Sequence, residues 1–293
     1  MTEENRTPEC LALMARLERP ITNEAGKPVG LGELDYEIYV RTQELLALQT
    51  HPAQLVHHDE MAFLVVHQTQ ELWLKLAAHD SIALVRALDD DDASAFLATC
   101  VRVGRTLERL ASDIQILETL TPACFQVIRR SLGNGSGLES PGYNRLREGA
   151  GAVREALARF LAARELQLID VYRDDARAPD VLRVLEALVD VDSAFQRWLT
   201  AHFVVVRRTI GVDRSVRALD GFPTQALAVR MTRPLFPELW EARVEMTRDW
   251  RRAGGYAPGA RRSAPPEPTG SSGVRASVDA PARPSARGGK VRP

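Results

Sequence analysis

The chain has 293 residues, 45% of them hydrophobic, and a formal net charge of -1. That suits an ordinary soluble globular protein with one substantial core or at most two domains. The three cysteines, Cys10, Cys100 and Cys124, form no CxxC pair and cannot all be bridged, which argues against a disulfide framework and for a reducing compartment, the cytoplasm. Nowhere do about 18 uninterrupted apolar residues occur, so no membrane span is expected, and the acidic start with Glu3 and Glu4 is expected to be neither signal nor transit peptide.

In chain order, residues 1–30 read as a loosely ordered arm, with a short helix over Cys10–Leu17 and breakers at Pro20, Gly26, Pro28 and Gly30. A domain is expected from 31 to 254. Within 35–46, Tyr36, Tyr39, Val40 and Gln43 share one face of a short amphipathic helix, and Pro52 ends the segment. From His57 a long helix runs to about Leu88, with Asp59 and Glu60 at its N-terminus, where negative charge is favourable. Its stripe of Phe63, His67, Gln70, Glu71 and Leu74 sets an imidazole and an amide among apolar neighbours. The acidic run at 89–92 makes a turn and an N-cap, and Phe96, Cys100, Val103, Leu107, Leu110, Ile114 and Leu117 then repeat at helical spacing up to Pro122.

A short helix over Cys124–Leu132 closes on the loop Gly133-Asn134-Gly135-Ser136-Gly137, whose small residues allow the backbone to approach a ligand. Helices are expected at 149–166 and 178–191, then a separate one over 192–211, where Phe195, Trp198, Leu199, His202, Val205, Val206 and Thr209 form one apolar stripe. A helix near 224–233 and a last one starting at Pro237 complete the set. From Gly255 onward seven Lys or Arg stand against two acids, leaving about -6 for the preceding part; almost no large apolar residue remains, so 255–293 reads as a disordered basic tail. Lacking interleaved aromatics, it reads as a solvated extension rather than a nucleic-acid arm. Every strong period is helical, and the expected fold is all-α.

Two histidines on separate apolar helices lack the third close ligand that a catalytic zinc site needs, and no HExxH or Glu-x-x-His pair is present for a dimetal centre. Haem needs less: one axial histidine bonds the iron while apolar helix faces sandwich the macrocycle. Either His67 or His202 can be that ligand, with the other facing it.

The segments HHDEMAFLVVHQTQELWLKL (57–76), LETLTPACFQVIRRSLGNGSG (117–137), LVDVDSAFQRWLTAHFVVVRRTIG (188–211) and FPELW (236–240) resemble, in order, the tryptophan 2,3-dioxygenase family of haem proteins. The resemblance spans about 33–243 and implies a single helical-bundle domain holding haem b. It implies His202 as axial iron ligand, His67 as the distal histidine facing the indole nitrogen, and Phe63 as the aromatic lining the indole pocket. Arg129 would hold the substrate carboxylate, and Ser136 would be a pocket serine. Tyr36, Tyr39 and Val40 match residues that enter the site from a neighbouring subunit of a homotetramer.

Three departures stand out. Phe125 occupies the place of a pocket tyrosine, the interval from Arg129 to His202 is much shorter than the family pattern, and the loop GTGGSxG is replaced by residues 212–221, with Val216 at the threonine. A similar string at 269–274 lies on the wrong side of FPELW. The expected activity is oxidation of L-tryptophan, or a close derivative, by O2 to N-formylkynurenine. The alternatives are a monooxygenase of the same superfamily, forming a 2-oxindole or hydroxylating tyrosine, and a non-enzymatic haem sensor or carrier.

Overall fold

A computed structural model of the chain describes residues 7–17, 19–251 and 259. Chain packing divides it into Met1–Asp249 and Trp250–Pro293, and the expected tail lies, apart from Gly259, outside the described residues. Among the described residues the first unit has eleven α-helices: α1 (Pro8–Leu17), α2 (Asp35–Val40), α3 (Thr42–Leu46), α4 (Glu60–Asp89), α5 (Ala93–Ile114), α6 (Pro122–Arg129), α7 (Pro141–Ala163), α8 (Leu168–Arg173), α9 (Pro179–Thr209), α10 (Ala226–Met231) and α11 (Pro237–Asp249). Among the described residues the only strands are a two-residue antiparallel pair, Ile21–Thr22 with Pro28–Val29. The all-α expectation holds.

Four long helices make the core. α4 packs against α7 on one side and α5 on the other, and α5 packs against α9. Aromatic contacts close the ring, with Tyr143 of α7 stacked 6.3 Å from Phe195 of α9 and 6.2 Å from Trp198. The expected stripe of α5 is buried throughout: Phe96, Cys100, Val103, Leu107, Leu110 and Ile114. Truncating one fully enclosed member, as in Leu107→Ala, should cost about 2–5 kcal/mol. The α4–α5 turn has Asp91 in the left-handed region (φ 59°), and the Asp92 carboxylate accepts the Ala95 N–H at 2.9 Å, the expected cap.

Glycine sets the spacing of α7 and α4. A Cβ at Gly142 would come within 2.7 Å of both Glu71 Oε2 and Leu74 Cβ, and one at Gly149 within 2.4 Å of Ser81 Oγ. The same glycines dilute helical propensity, which is why the sequence suggests a start at 149, whereas Ser140 caps and Pro141 opens the helix eight residues earlier.

Two other boundaries differ from expectation. The 35–46 segment is two helices, broken at Arg41, whose φ of 58° no helix tolerates. The expected helices 178–191 and 192–211 are one, α9, because Asp192-Ser193 is not a cap. Asp192 is fully buried in mid-helix, and its carboxylate accepts the N–H groups of Leu235 (3.0 Å), Phe236 (3.1 Å) and the Trp240 indole (2.8 Å). It thereby holds the start of α11 against α9 and explains the FPELW segment structurally.

Candidate active site

His67 and His202 come from α4 and α9, the two longest helices. The His67 ring Nδ1 lies 2.7 Å from the Phe63 carbonyl, one turn back. A carbonyl only accepts, so Nδ1 carries the proton and Nε2 is left with a free lone pair. Burial pushes the His67 pKa below the usual 6.5, partly offset by the Phe63 carbonyl and the charge of Glu71, so the ring is neutral at physiological pH.

His202 is also held down, to about 4, by burial and then by His67, which places the imidazoles within electrostatic reach of each other. His202 makes no hydrogen bond among the described residues, although it is only half-buried by surface area. Every fully enclosed side-chain nitrogen or oxygen there has a partner, so the His202 ring nitrogens look into open space. A neutral imidazole with accessible, unpartnered ring nitrogens is suited to hold a haem iron.

Aromatic rings continue the wall. The Phe63 ring lies 4.1 Å from His67 and 6.0 Å from Phe125. The other polar members of the α4 stripe are used structurally: Gln70 donates to the Leu110 carbonyl (3.3 Å) and accepts the Trp198 indole N–H (3.3 Å), and Glu71 accepts the Gly142 N–H (2.9 Å) and the Ser140 hydroxyl. That leaves His67 as the one stripe residue with a free polar atom.

Arg129 follows Phe125 by one turn of α6, so both lie on one face. Its guanidinium donates to the Arg217 carbonyl at 2.7 Å, and Ser136 donates to the Asp220 carboxylate at 2.6 Å. The segment replacing the expected glycine-rich loop therefore closes directly onto Arg129 and Ser136. It is anchored at its far end by buried Thr224, whose hydroxyl accepts from the Asp213 N–H and donates to the Asp213 carbonyl. Val216 pairs through its carbonyl with the Thr224 N–H and plays a backbone part. Burial opposes charge on Asp220, but the Ser136 hydroxyl, the Phe222 N–H and Arg230 outweigh it, so the carboxyl sits below its usual range. Asp220 is thus joined to the candidate site through Ser136, a contact that the sequence did not suggest.

Tyr36, Tyr39 and Val40 are not brought to this site within one chain. They stand out on α2, with Tyr39 91% exposed and Tyr36 72%. The family model described as tryptophan 2,3-dioxygenase matches residues 22–160 and 153–246.

The chain belongs to the tryptophan 2,3-dioxygenase family.

Relatives named tryptophan 2,3-dioxygenase include one from Xanthomonas oryzae pv. oryzae (strain PXO99A), 32% identical over 279 residues, covering 77% of this chain and 92% of that protein. One from Kineococcus radiotolerans is 31% identical and covers 73% and 92%. One from Geobacillus thermodenitrificans is 28% identical and covers 73% and 93%. The two matched segments of the family model overlap at 153–160, within α7 and inside the Arg129–His202 interval that is short by the family pattern. Among the described residues no helix is long and apolar enough to cross a membrane.

Proposed function

We propose that this protein is a haem-dependent dioxygenase that opens the indole ring of L-tryptophan to N-formylkynurenine, with haem b held by His202. The observation that carries this reading is the pair of neutral imidazoles, one unpartnered and facing open space, the other presenting a free Nε2. Bound haem supplies the iron that binds and activates O2. The chain does the rest. His67 Nε2 accepts the indole N–H and so orients the ring, and Phe63 and Phe125 pack its faces and exclude water. Arg129 reads the carboxylate, exchanging its bond to the Arg217 carbonyl for a charged one, and Ser136 lines the same side.

Exposed Tyr36 and Tyr39, together with Ile38 (59% exposed) on the same short helix, make a surface that a second copy would cover, in keeping with a homotetramer in which the tyrosines complete a neighbour's site. The division into an arm (1–30), a haem domain (31–254) and a solvated tail (255–293), and a cytoplasmic setting suited to free cysteines, belong to the same proposal.

The test is product mass spectrometry under ¹⁸O₂ with L-tryptophan. Two labelled oxygens in N-formylkynurenine are expected, and a single label in a 2-oxindole would overturn the dioxygenase in favour of a monooxygenase. Sedimentation of an active monomer would refute the shared site.

A further inference from the structure

Three potential metal ligands of different chemistry meet just outside the proposed pocket. Cys124 Sγ lies 3.2 Å from His57 Nδ1 and 3.3 Å from Asp59 Oδ2, and these last two atoms are 3.7 Å apart. A tetrahedral zinc ion with bonds of about 2.0 Å to N and O and about 2.3 Å to S would hold its N–S and O–S pairs about 3.5 Å apart and its N–O pair about 3.3 Å apart. Each observed separation is within about 0.4 Å of that geometry.

The backbone holds the trio in place. Asp59 occupies the N-cap of α4, yet its side chain caps nothing and turns instead to Cys124. Cys124 is fixed in the first turn of α6, where its N–H donates to the Thr121 cap at 3.1 Å. The Asp59 N–H donates to His57 Nδ1 at 3.2 Å, which marks that nitrogen as the unprotonated one, and metal binding would exchange this hydrogen bond for the bond to the ion, leaving the Asp59 N–H to solvent. Cys124 is buried, while His57 and Asp59 are half-exposed, so an ion can enter from solvent and keep a water on its open side.

We propose that His57, Asp59 and Cys124 bind one zinc-like divalent ion that clamps the N-terminus of α4 to α6. Binding releases one proton per chain, that of the Cys124 thiol, to solvent. Zinc, thiolate, carboxylate and neutral imidazole then sum to zero charge, which limits the cost of a half-buried site. Thiolate and imidazole ligands choose zinc, cobalt or cadmium over magnesium or calcium. Asp59 lies one turn before Phe63, and Cys124 directly precedes Phe125, so the clamp joins two walls of the proposed pocket. The ion-binding claim itself does not rest on the proposed function.

The experiment uses the full haem-loaded chain, stripped of loose metal with a chelator and dialysed against zinc or, separately, magnesium. Elemental analysis should find one zinc per chain beyond the haem iron, and no magnesium. Cys124→Ser and His57→Ala should each lose the zinc and keep the Soret band, while Cys100→Ala should retain both. In the wild type, zinc should protect Cys124, and not Cys10, from alkylation by N-ethylmaleimide, a readout that needs no variant to fold. A wild type that takes up no zinc, equal zinc in Cys124→Ser, or unprotected Cys124 would each overturn the site, whatever the outcome of the haem and ¹⁸O₂ experiments.

Discussion

The two walls of the proposed pocket are built on different principles. The α4–α9 wall carries His67 and His202 on helices of 30 and 31 residues packed into one core, so each imidazole is placed by many buried contacts that have nothing to do with ligand. The opposite wall is a short helix and a loop, joined by the Arg129–Arg217 and Ser136–Asp220 hydrogen bonds. The first wall tolerates no rewriting without loss of the core, whereas the second can change its sequence as long as a few polar contacts are replaced. Two of the three departures from the family pattern, Phe125 and residues 212–221, fall on this second wall.

Mutations test the contrast from both sides. The largest effect should come from His202→Ala, which removes the proposed iron ligand and should lose most bound haem, while His67→Ala should leave haem in place; equal Soret bands in the two variants would break the assignment of roles. Next, His67→Ala should lower kcat with tryptophan by about 10²–10⁴-fold, the usual contribution of one positioned acid–base group. A variant that binds haem and substrate but turns over nothing would make the imidazole obligatory rather than assisting.

On the loop wall the effects should be smaller. Arg129→Leu should weaken tryptophan binding by about 10- to 150-fold, from about 1.5–3 kcal/mol for a charge-assisted hydrogen bond. It should also abolish preference for tryptophan over tryptamine in a Soret titration; unchanged preference would move carboxylate recognition to Arg214 or Arg217. Asp220→Asn keeps an acceptor for Ser136 but loses its charge, about 1 kcal/mol, and should raise KM by about fivefold.

The pH dependence separates the walls again. The folded pKa of His67 lies below its unfolded value of 6.5, so the folded state binds fewer protons and its contribution is fully present above pH 6.5. It is lost as the pH falls below 6.5 through the folded value. Accordingly kcat/KM should hold through neutral pH and fall only on the acid side, with an apparent pKa below 6.5, and His67→Gln should flatten that acid limb.

What was legible in the sequence follows the same division. The stripes of α4, α5 and α9 repeat at helical spacing because each buries one face, and His67 and His202 stand out in them as polar exceptions. Gln70 looked equally exceptional, and only the fold reveals its bonds to Leu110 and Trp198, 40 and 128 residues away. Asp192 misled for a related reason: a carboxylate before serine reads as a helix start, and its real partners lie 43 to 48 residues downstream. Asp220 and the meeting of Asp59 with Cys124 were equally hidden, since separations of 84 and 65 residues leave no periodic trace.

Gly142 and Gly149 give the site a mechanical tolerance. Where α7 touches α4, the contact is between backbone and side chain with no room for a methyl group, and Glu71, which meets Gly142, sits one turn from His67. Alanine at Gly142 would act as a shim, pushing α4 sideways by a fraction of an ångström and changing the gap between the two imidazoles without touching either.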